Sequence, residues 1–183
     1  LLAAAGSPNG FSMRFWVPES GSGMIAPKEI AQVIQANLKD VGITVEIVTQ
    51  EWTSYVADWG SDGLDKDGQP FYGMGEMSWN FSTPDPSEWL NPTIHSNAQA
   101  PNAFNGGFYS NPAVDELLDK ATNTLDRDER IKAFQQVQKI LHDDCPWIFM
   151  FSANNIGAAA KYVKNVALNP DPSVLDLRKT YLE

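Results

Sequence analysis

Apolar and polar positions along the chain switch between a period of two and a period near 3.6, and the switches mark out its elements. Phe11 to Val17 is aromatic-rich and partly alternating, bounded by Pro18 and a Gly/Ser stretch through Gly23, which predicts a buried strand. Pro27 suits the first turn of a helix. Ile30, Val33, Ile34, Leu38 and Val41 then recur at helical spacing until Gly42. Ile43, Val45 and Ile47 alternate with Thr44 and Glu46, a second strand. Strand, helix and strand in this order form the unit of parallel or mixed α/β sheets; a β-hairpin with a long loop is the competing reading.

Further along, Glu51 to Trp59 suits one or two helical turns, and Gly60 to Pro70 reads as a polar loop. Its acids do not fit a calcium loop, because counting back from Gly68 puts Gly63 first and Met74 last, neither of them the required ligand. A strand is predicted from Phe71 to Trp79. Asn111 and Pro112 open a helix with the stripe Val114, Leu117, Leu118, Ala121 and Leu125. Asp126 with Glu129 opens another, buried through Ile131, Phe134, Val137 and Leu141. Asp143-Asp144-Cys145-Pro146 ends it, and Trp147 to Phe151 is short and apolar enough for a buried strand. At the start, Leu1 to Ala5 followed by Gly6 resembles the last turn of a helix closed by a glycine, so the sequence reads as part of a longer protein.

Composition narrows the classes of function. The formal charge of -10, with 13 basic residues scattered among 23 acids, argues against a nucleic-acid partner, which needs clustered Lys and Arg. A single cysteine, Cys145, excludes an internal disulfide, and no CxxC or Cys/His cluster suggests zinc. The two histidines, His95 and His142, lie in no nucleophile motif, and no Gly-x-Ser-x-Gly is present. No cofactor or metal is expected.

The most unusual stretch is Trp79-Asn80-Phe81-Ser82-Thr83-Pro84-Asp85-Pro86-Ser87-Glu88-Trp89-Leu90. A large aromatic at a strand end, then small polar residues and backbone-fixing prolines, is how α/β sheets present ligand-binding side chains. Packing of the tryptophans beneath the loop is the alternative, and Trp89 suits a short helix facing the core. Asp85 and Glu88 are the one carboxylate pair here that a glycosidase could use, but their helical spacing favours capping.

The order Leu1-Leu2, Ala5-Gly6 and Gly10-Phe11, Val41-Gly42-Ile43 leading into a strand, Trp79 with Asp85-Pro86 six and seven residues later, Tyr109-Ser110-Asn111-Pro112 with Asp115, and Pro146-Trp147-Ile148 resembles the dipeptide, oligopeptide, nickel and glutathione solute-binding family of ABC importers. The region Phe104-Asn105 and Phe108 to Asn111 is especially similar to glutathione-binding members. The resemblance implies an α/β fold, a mixed sheet flanked by helices, forming most of the C-terminal lobe of a two-lobed periplasmic-binding-protein-like molecule. Residues 1–153 would form the lobe and 154–183 would return to the N-terminal lobe. It implies binding without catalysis, in the periplasm or lipid-anchored on the outer face of the cytoplasmic membrane, as a monomer docking on a membrane permease.

The implied ligand contacts are Trp79, Asn80, Ser82, Asp85, Phe104 and Asn105. Dipeptide-binding relatives place an Asp three residues after the motif tryptophan for the ligand ammonium, where this sequence has Ser82. They also hold the ligand carboxylate with an Arg after the first strand, and Glu19 to Gly23 has none. A longer or modified peptide, such as glutathione, is expected; a neutral sugar stacked on Trp79 is the alternative. The nickel-binding relatives imply a metal role only where histidines cluster, which this sequence does not show.

Overall fold

A computed structural model describes residues 1–21, 23–61, 73–80, 82–83, 85–154, 156–168 and 175–183. Its contacts fall into two units, one of Leu1–Trp79 with Ser96–Tyr109, the other of Asn80–His95 with Ser110–Glu183.

The first unit is a strand–helix–strand unit extended by a third strand. β1 (Phe11–Pro18), α1 (Pro27–Asp40), β2 (Ile43–Gln50), α2 (Trp52–Trp59) and β3 (Gly73–Gly75) follow one another. The three strands form a parallel sheet in the order β2-β1-β3, with Phe11 opposite Ile43 and Trp16 opposite Gly75. A central strand in a parallel sheet is covered on both faces, which explains the continuous run Phe15, Trp16 and Val17, all buried. β2 instead buries alternate residues, Ile43 and Val45, with Ala31 of α1 in the same core and Ile34 and Leu38 packed against it. The parallel pairing excludes the hairpin. The strand expected over Phe71 to Trp79 forms a ladder only at Gly73–Gly75; Phe71, Tyr72 and the loop from Asp62 to Pro70, with its calcium-like acids, lie outside the described residues.

Local signals set the boundaries. The opening turn closes as predicted, with the Gly6 amide donating to Ala3 and the Ser7 amide to Leu2, while Gly6 takes φ 84°. Gly10 (φ +77°) sits against Gly42, where a β-carbon would lie 1.7 Å from the Gly42 carbonyl oxygen. That approach brings the end of α1 beside the start of β1 and so supports the Phe11–Ile43 register. Gly10→Ala is therefore expected to cost about 1–3 kcal/mol in backbone strain and displacement. An unchanged melting temperature would contradict this reading.

Two apolar expectations for α1 fail. Val33 and Val41 are 62% and 58% exposed. Val33 lies two residues beyond Ala31, about 200° around the helix, and so points away from the sheet. Val41 is the C-cap, outside the helical period.

The second unit contains α3 (Ser87–Ile94), α4 (Pro112–Asn123) and α5 (Arg127–Asp144), with two short antiparallel ladders. Val163–Lys164 (β4) pairs with Tyr181–Leu182 (β7), and Ala167–Leu168 (β5) with Leu175–Asp176 (β6). The Asn111 side chain accepts from the Ala113 amide as predicted, and that of Asp126 from the Asp128 and Glu129 amides, but the return half of the Asp126–Glu129 pattern is absent because the Asp126 amide donates to the Thr124 hydroxyl. Leu90, Ile94, Val114, Leu118, Ala121, Phe134, Val137 and Leu141 are buried.

Two apolar positions and one apolar run depart from expectation here. Leu125 is fully exposed, because α4 has ended and Thr124 is extended, so helical spacing no longer applies. Ile131 is 43% exposed, near the N-terminal end of α5, whose buried residues are Ala133, Phe134, Val137 and Leu141. Trp147 to Phe151 is neither a strand nor buried: Ile148 to Phe151 are 55–68% exposed. A strand needs a partner for its amides and carbonyls, and none among the described residues pairs with this run.

Candidate functional site

In parallel α/β sheets ligands bind beyond the carboxyl ends of the strands, and in the first unit that edge carries a run of aromatic rings. β2 leads into α2, whose N-terminus is capped by Glu51, accepting from the Thr53 and Ser54 amides. α2 projects Trp52, Tyr55 and Trp59, successive pairs standing 6.3 Å and 5.9 Å apart. The buried Tyr55 hydroxyl lies within hydrogen-bonding distance of two carbonyls, Trp16 on β1 at 3.3 Å and Glu76 just past β3 at 2.7 Å. The aromatic helix is thereby fixed to the ends of two strands.

Trp59 continues the wall. Its Nε1–H donates to the Phe104 carbonyl at 3.1 Å, and Phe104 meets Trp79 edge to face, with ring centroids 5.6 Å apart and planes at 75°. Two glycines make room for the Trp59 ring. A β-carbon on Gly75 would lie 2.2 Å from its Cζ3, and one on Gly106 2.7 Å from its Nε1. Phe104 remains exposed and Trp79 half-buried.

Asn105 is buried and holds the loop beside Phe104. Its Nδ2–H donates to the Tyr109 carbonyl at 2.8 Å, its Oδ1 accepts from the Tyr109 amide at 3.0 Å, and its own amide donates to the Ala98 carbonyl. Of the six positions expected at the site, the structure thus brings Trp79 and Phe104 into contact and places Asn105 beneath the latter.

Glu76 was not singled out from the sequence. It directly follows β3, its amide donates to the Trp16 carbonyl at 3.1 Å, and its Oε2 is buried without a hydrogen-bond partner. Burial pushes its carboxyl up to about 7. The pattern that could have found it is simple: Glu19, Glu51 and Glu76 are the residues immediately after β1, β2 and β3.

The other three positions belong to the second unit. Asn80 is exposed. Ser82 and Thr83 are clamped by Glu88, whose carboxylate accepts from both amides and both hydroxyls at 2.6–2.8 Å. Those bonds, the Ser82 hydroxyl's first, hold the Glu88 carboxyl down to about 2. Asp85 accepts from the Ser87 amide and hydroxyl and pairs with Arg130. Burial alone would raise the Asp85 carboxyl, but these bonds together hold it below the usual carboxylate range. Both acids are therefore ionised and bonded, Glu88 to the loop and Asp85 to Ser87 and Arg130, rather than in the helix cap expected from their spacing, since α3 has Pro86 at its N-cap and no side-chain cap. Neither is poised as a general acid.

A cavity of about 630 Å³ lies in the same unit, lined mainly by Pro86, Trp89, Leu90, Leu141 and Phe149. Trp89 meets Trp147 and Phe149 edge to face at 6.3 Å and 5.7 Å. The one acid among its lining residues, Asp85, is already matched by Arg130. No group of three or more His, Cys, Asp or Glu residues among those described could hold a metal.

Comparison with known proteins gives this geometry its context. Residues 1–101 match the model of the bacterial extracellular solute-binding proteins, family 5 Middle. The chain is 30% identical over 171 residues to the glutathione-binding protein GsiB of Pectobacterium atrosepticum, covering 93% of this chain and 32% of that protein. It is also 30% identical over 173 residues to heme-binding protein A of Haemophilus influenzae, covering 93% and 29%. The structure of HbpA2 from Haemophilus parasuis superposes with a TM-score of 0.78 at 24% identity, over 100% of this chain and 34% of that one. The chain therefore spans about a third of the length of these relatives, of which the first two are binding proteins by name, and it shares the fold of HbpA2. It belongs to the family 5 bacterial extracellular solute-binding proteins.

Proposed function

We propose that the protein is the solute-binding component of an ABC importer, that this chain supplies one wall of its ligand cleft, and that the ligand is peptide-like, an oligopeptide or a glutathione-like molecule. The observation that carries this reading is the aromatic wall at the carboxyl edge of the parallel sheet in a chain of this family: Trp79 and Phe104 present ring surface where such sheets take ligands. Aromatic faces accommodate peptide backbone and side chains of varied sequence and lose little conformational entropy in doing so. Two relatives of equal identity are named for glutathione and for heme, so identity alone does not choose a ligand. The choice rests on the edge itself.

In this reading residues 1–153 belong to the ligand-binding lobe and 154–183 return toward the other lobe. Hinge closure of two lobes on a ligand is the general motion of periplasmic binding proteins. The component acts as a monomer in the periplasm or tethered to the outer face of the cytoplasmic membrane, and hands its ligand unaltered to a membrane permease.

The test is a capture experiment. Purified full-length protein is incubated with a pool of di- to nonapeptides plus glutathione, freed of unbound material, denatured, and the released molecules identified by mass spectrometry. Recovery of intact peptide-like molecules is the expected outcome. Recovery of none from this pool, with oligosaccharides retained from a parallel one, overturns the reading.

A further inference from the structure

We propose that Glu88 is a positioning residue of the binding loop: its carboxylate, carried on α3, fixes the backbone at Ser82 and Thr83 before any solute arrives, so that binding need not order this segment. This deepens the peptide-like reading and rests on it.

Four donors converge on one side chain. Oε1 of Glu88 accepts from the Ser82 amide at 2.8 Å and the Ser82 hydroxyl at 2.6 Å, and Oε2 accepts from the Thr83 amide at 2.8 Å and the Thr83 hydroxyl at 2.7 Å. The hydroxyls can turn to other partners, whereas the two amides can only donate. Each amide takes a different oxygen, so the clamp needs a group with two acceptor atoms. A carboxylate is that group. Glutamine in its place would turn an NH2 toward one of the amides and lose that half of the clamp. The accepting form is secure, because the same bonds, the Ser82 hydroxyl's first, hold the Glu88 carboxyl down to about 2.

The clamp is anchored in packed structure. Glu88 stands in the first turn of α3, whose Leu90, Thr93 and Ile94 are buried. Just ahead of that helix, Asp85 accepts from the Ser87 amide and hydroxyl and pairs with Arg130 of α5. A stretch of small polar residues thereby takes its shape from a helix, which holds a binding group more precisely than a loop does by itself. Asn80 and Ser82, two of the expected contacts, lie on this stretch, one and three residues beyond Trp79.

Order in the loop is separable from stability of the fold. Ser82 and Thr83 are exposed, and neither they nor Glu88 belong to the buried core. Changes at such positions move the melting temperature little, but a segment left to be ordered on binding lowers affinity. The role of Ser82 changes accordingly: its hydroxyl is engaged by Glu88 within the chain, so Ser82 shapes the loop rather than recognising the solute.

The experiment compares full-length wild type, Glu88→Gln and Thr83→Val at pH 7.5, by calorimetric titration with glutathione and a panel of tri- to pentapeptides, by thermal melts, and by hydrogen exchange of the Ser82 and Thr83 amides without ligand. Glu88→Gln is expected to bind at least about tenfold more weakly and to exchange these amides at least about tenfold faster. Its melting temperature should stay within about 2 °C of wild type. Thr83→Val removes one hydroxyl and leaves both amide bonds, so it should weaken binding by less than about threefold. Affinity of Glu88→Gln within twofold of wild type, unchanged exchange of the two amides, or an equal loss in Thr83→Val overturns the role of Glu88 and leaves the peptide reading standing. A lowered melting temperature with faster exchange throughout α3 overturns it too, by making Glu88 a support of the fold. Binding of no peptide and no glutathione by wild type overturns both.

Discussion

Trp79→Ala in the full-length protein is expected to weaken ligand binding by about 10- to 100-fold while shifting the melting temperature little. Aromatic anchors at binding surfaces commonly contribute about 2 kcal/mol or more when truncated. The edge-to-face pair of Trp79 with Phe104 lies within the chain, and its loss costs only about 0.5–1.5 kcal/mol of stability. Trp79 is absent from the buried core formed by Phe15, Val17, Ala31, Ile43 and Val45, so its removal leaves the sheet packing intact. Trp79→Phe, which keeps a ring in place, should recover most of the lost affinity. Affinity within twofold of wild type for Trp79→Ala, measured by calorimetry, would mean that the ring merely covers the loop.

Gly75→Ala should impair stability and binding together. The added methyl would lie 2.2 Å from Trp59 Cζ3 and 3.0 Å from the Tyr55 hydroxyl, and the ring is held in place by its Nε1–H bond to the Phe104 carbonyl. Overpacking of this kind costs about 1–3 kcal/mol. Displacing Trp59 also breaks its bond to the Phe104 carbonyl and so moves half of the aromatic pair. Gly107→Ala is the control, since its added carbon meets nothing within 4 Å. Parallel thermal melts and titrations decide the matter. Equal behaviour of the two variants would show that Trp59 is not wedged as described.

The parts of the fold that could be read from the sequence are those where a local rule and the tertiary environment agree. β1, α1 and β2 followed from periodicity because the parallel sheet buries the residues the pattern marks. The starts of α4 and α5 followed from Asn111 and Asp126, whose caps are local hydrogen bonds independent of what lies elsewhere. The capping expected of Asp85 and Glu88 did not follow: α3 has Pro86 at its N-cap and no side-chain cap, and Glu88 instead holds Ser82 and Thr83 of the preceding loop.

Where partners decide, the pattern misled. Ile148 to Phe151 looks like a buried strand in isolation, yet a strand is defined by pairing, and no described residue supplies it. Leu125 continues the stripe of α4 in spacing but stands beyond the helix end that Thr124 imposes.

The site was half legible. Trp79 stood out as an aromatic at a strand end, and Phe104 through family likeness. What joins them, Trp59 between two glycines, is a long-range packing arrangement that no local pattern announces. Glu76 escaped because one glutamate in an acidic chain is unremarkable until its oxygen is found buried and unbonded.

The central claim is that the protein holds a peptide-like solute and leaves it chemically unchanged. Its most direct test is a thermal-shift titration of the full-length protein against short peptides, glutathione and oligosaccharides, with each ligand recovered afterwards and checked by mass. A ligand specific for the folded state stabilises it by about 2.7 kcal/mol at a hundredfold excess over Kd. The account predicts a saturable rise in Tm with at least one peptide or with glutathione, which is then recovered intact. A rise with oligosaccharides alone, no rise with any peptide, or recovery of a cleaved ligand would contradict it.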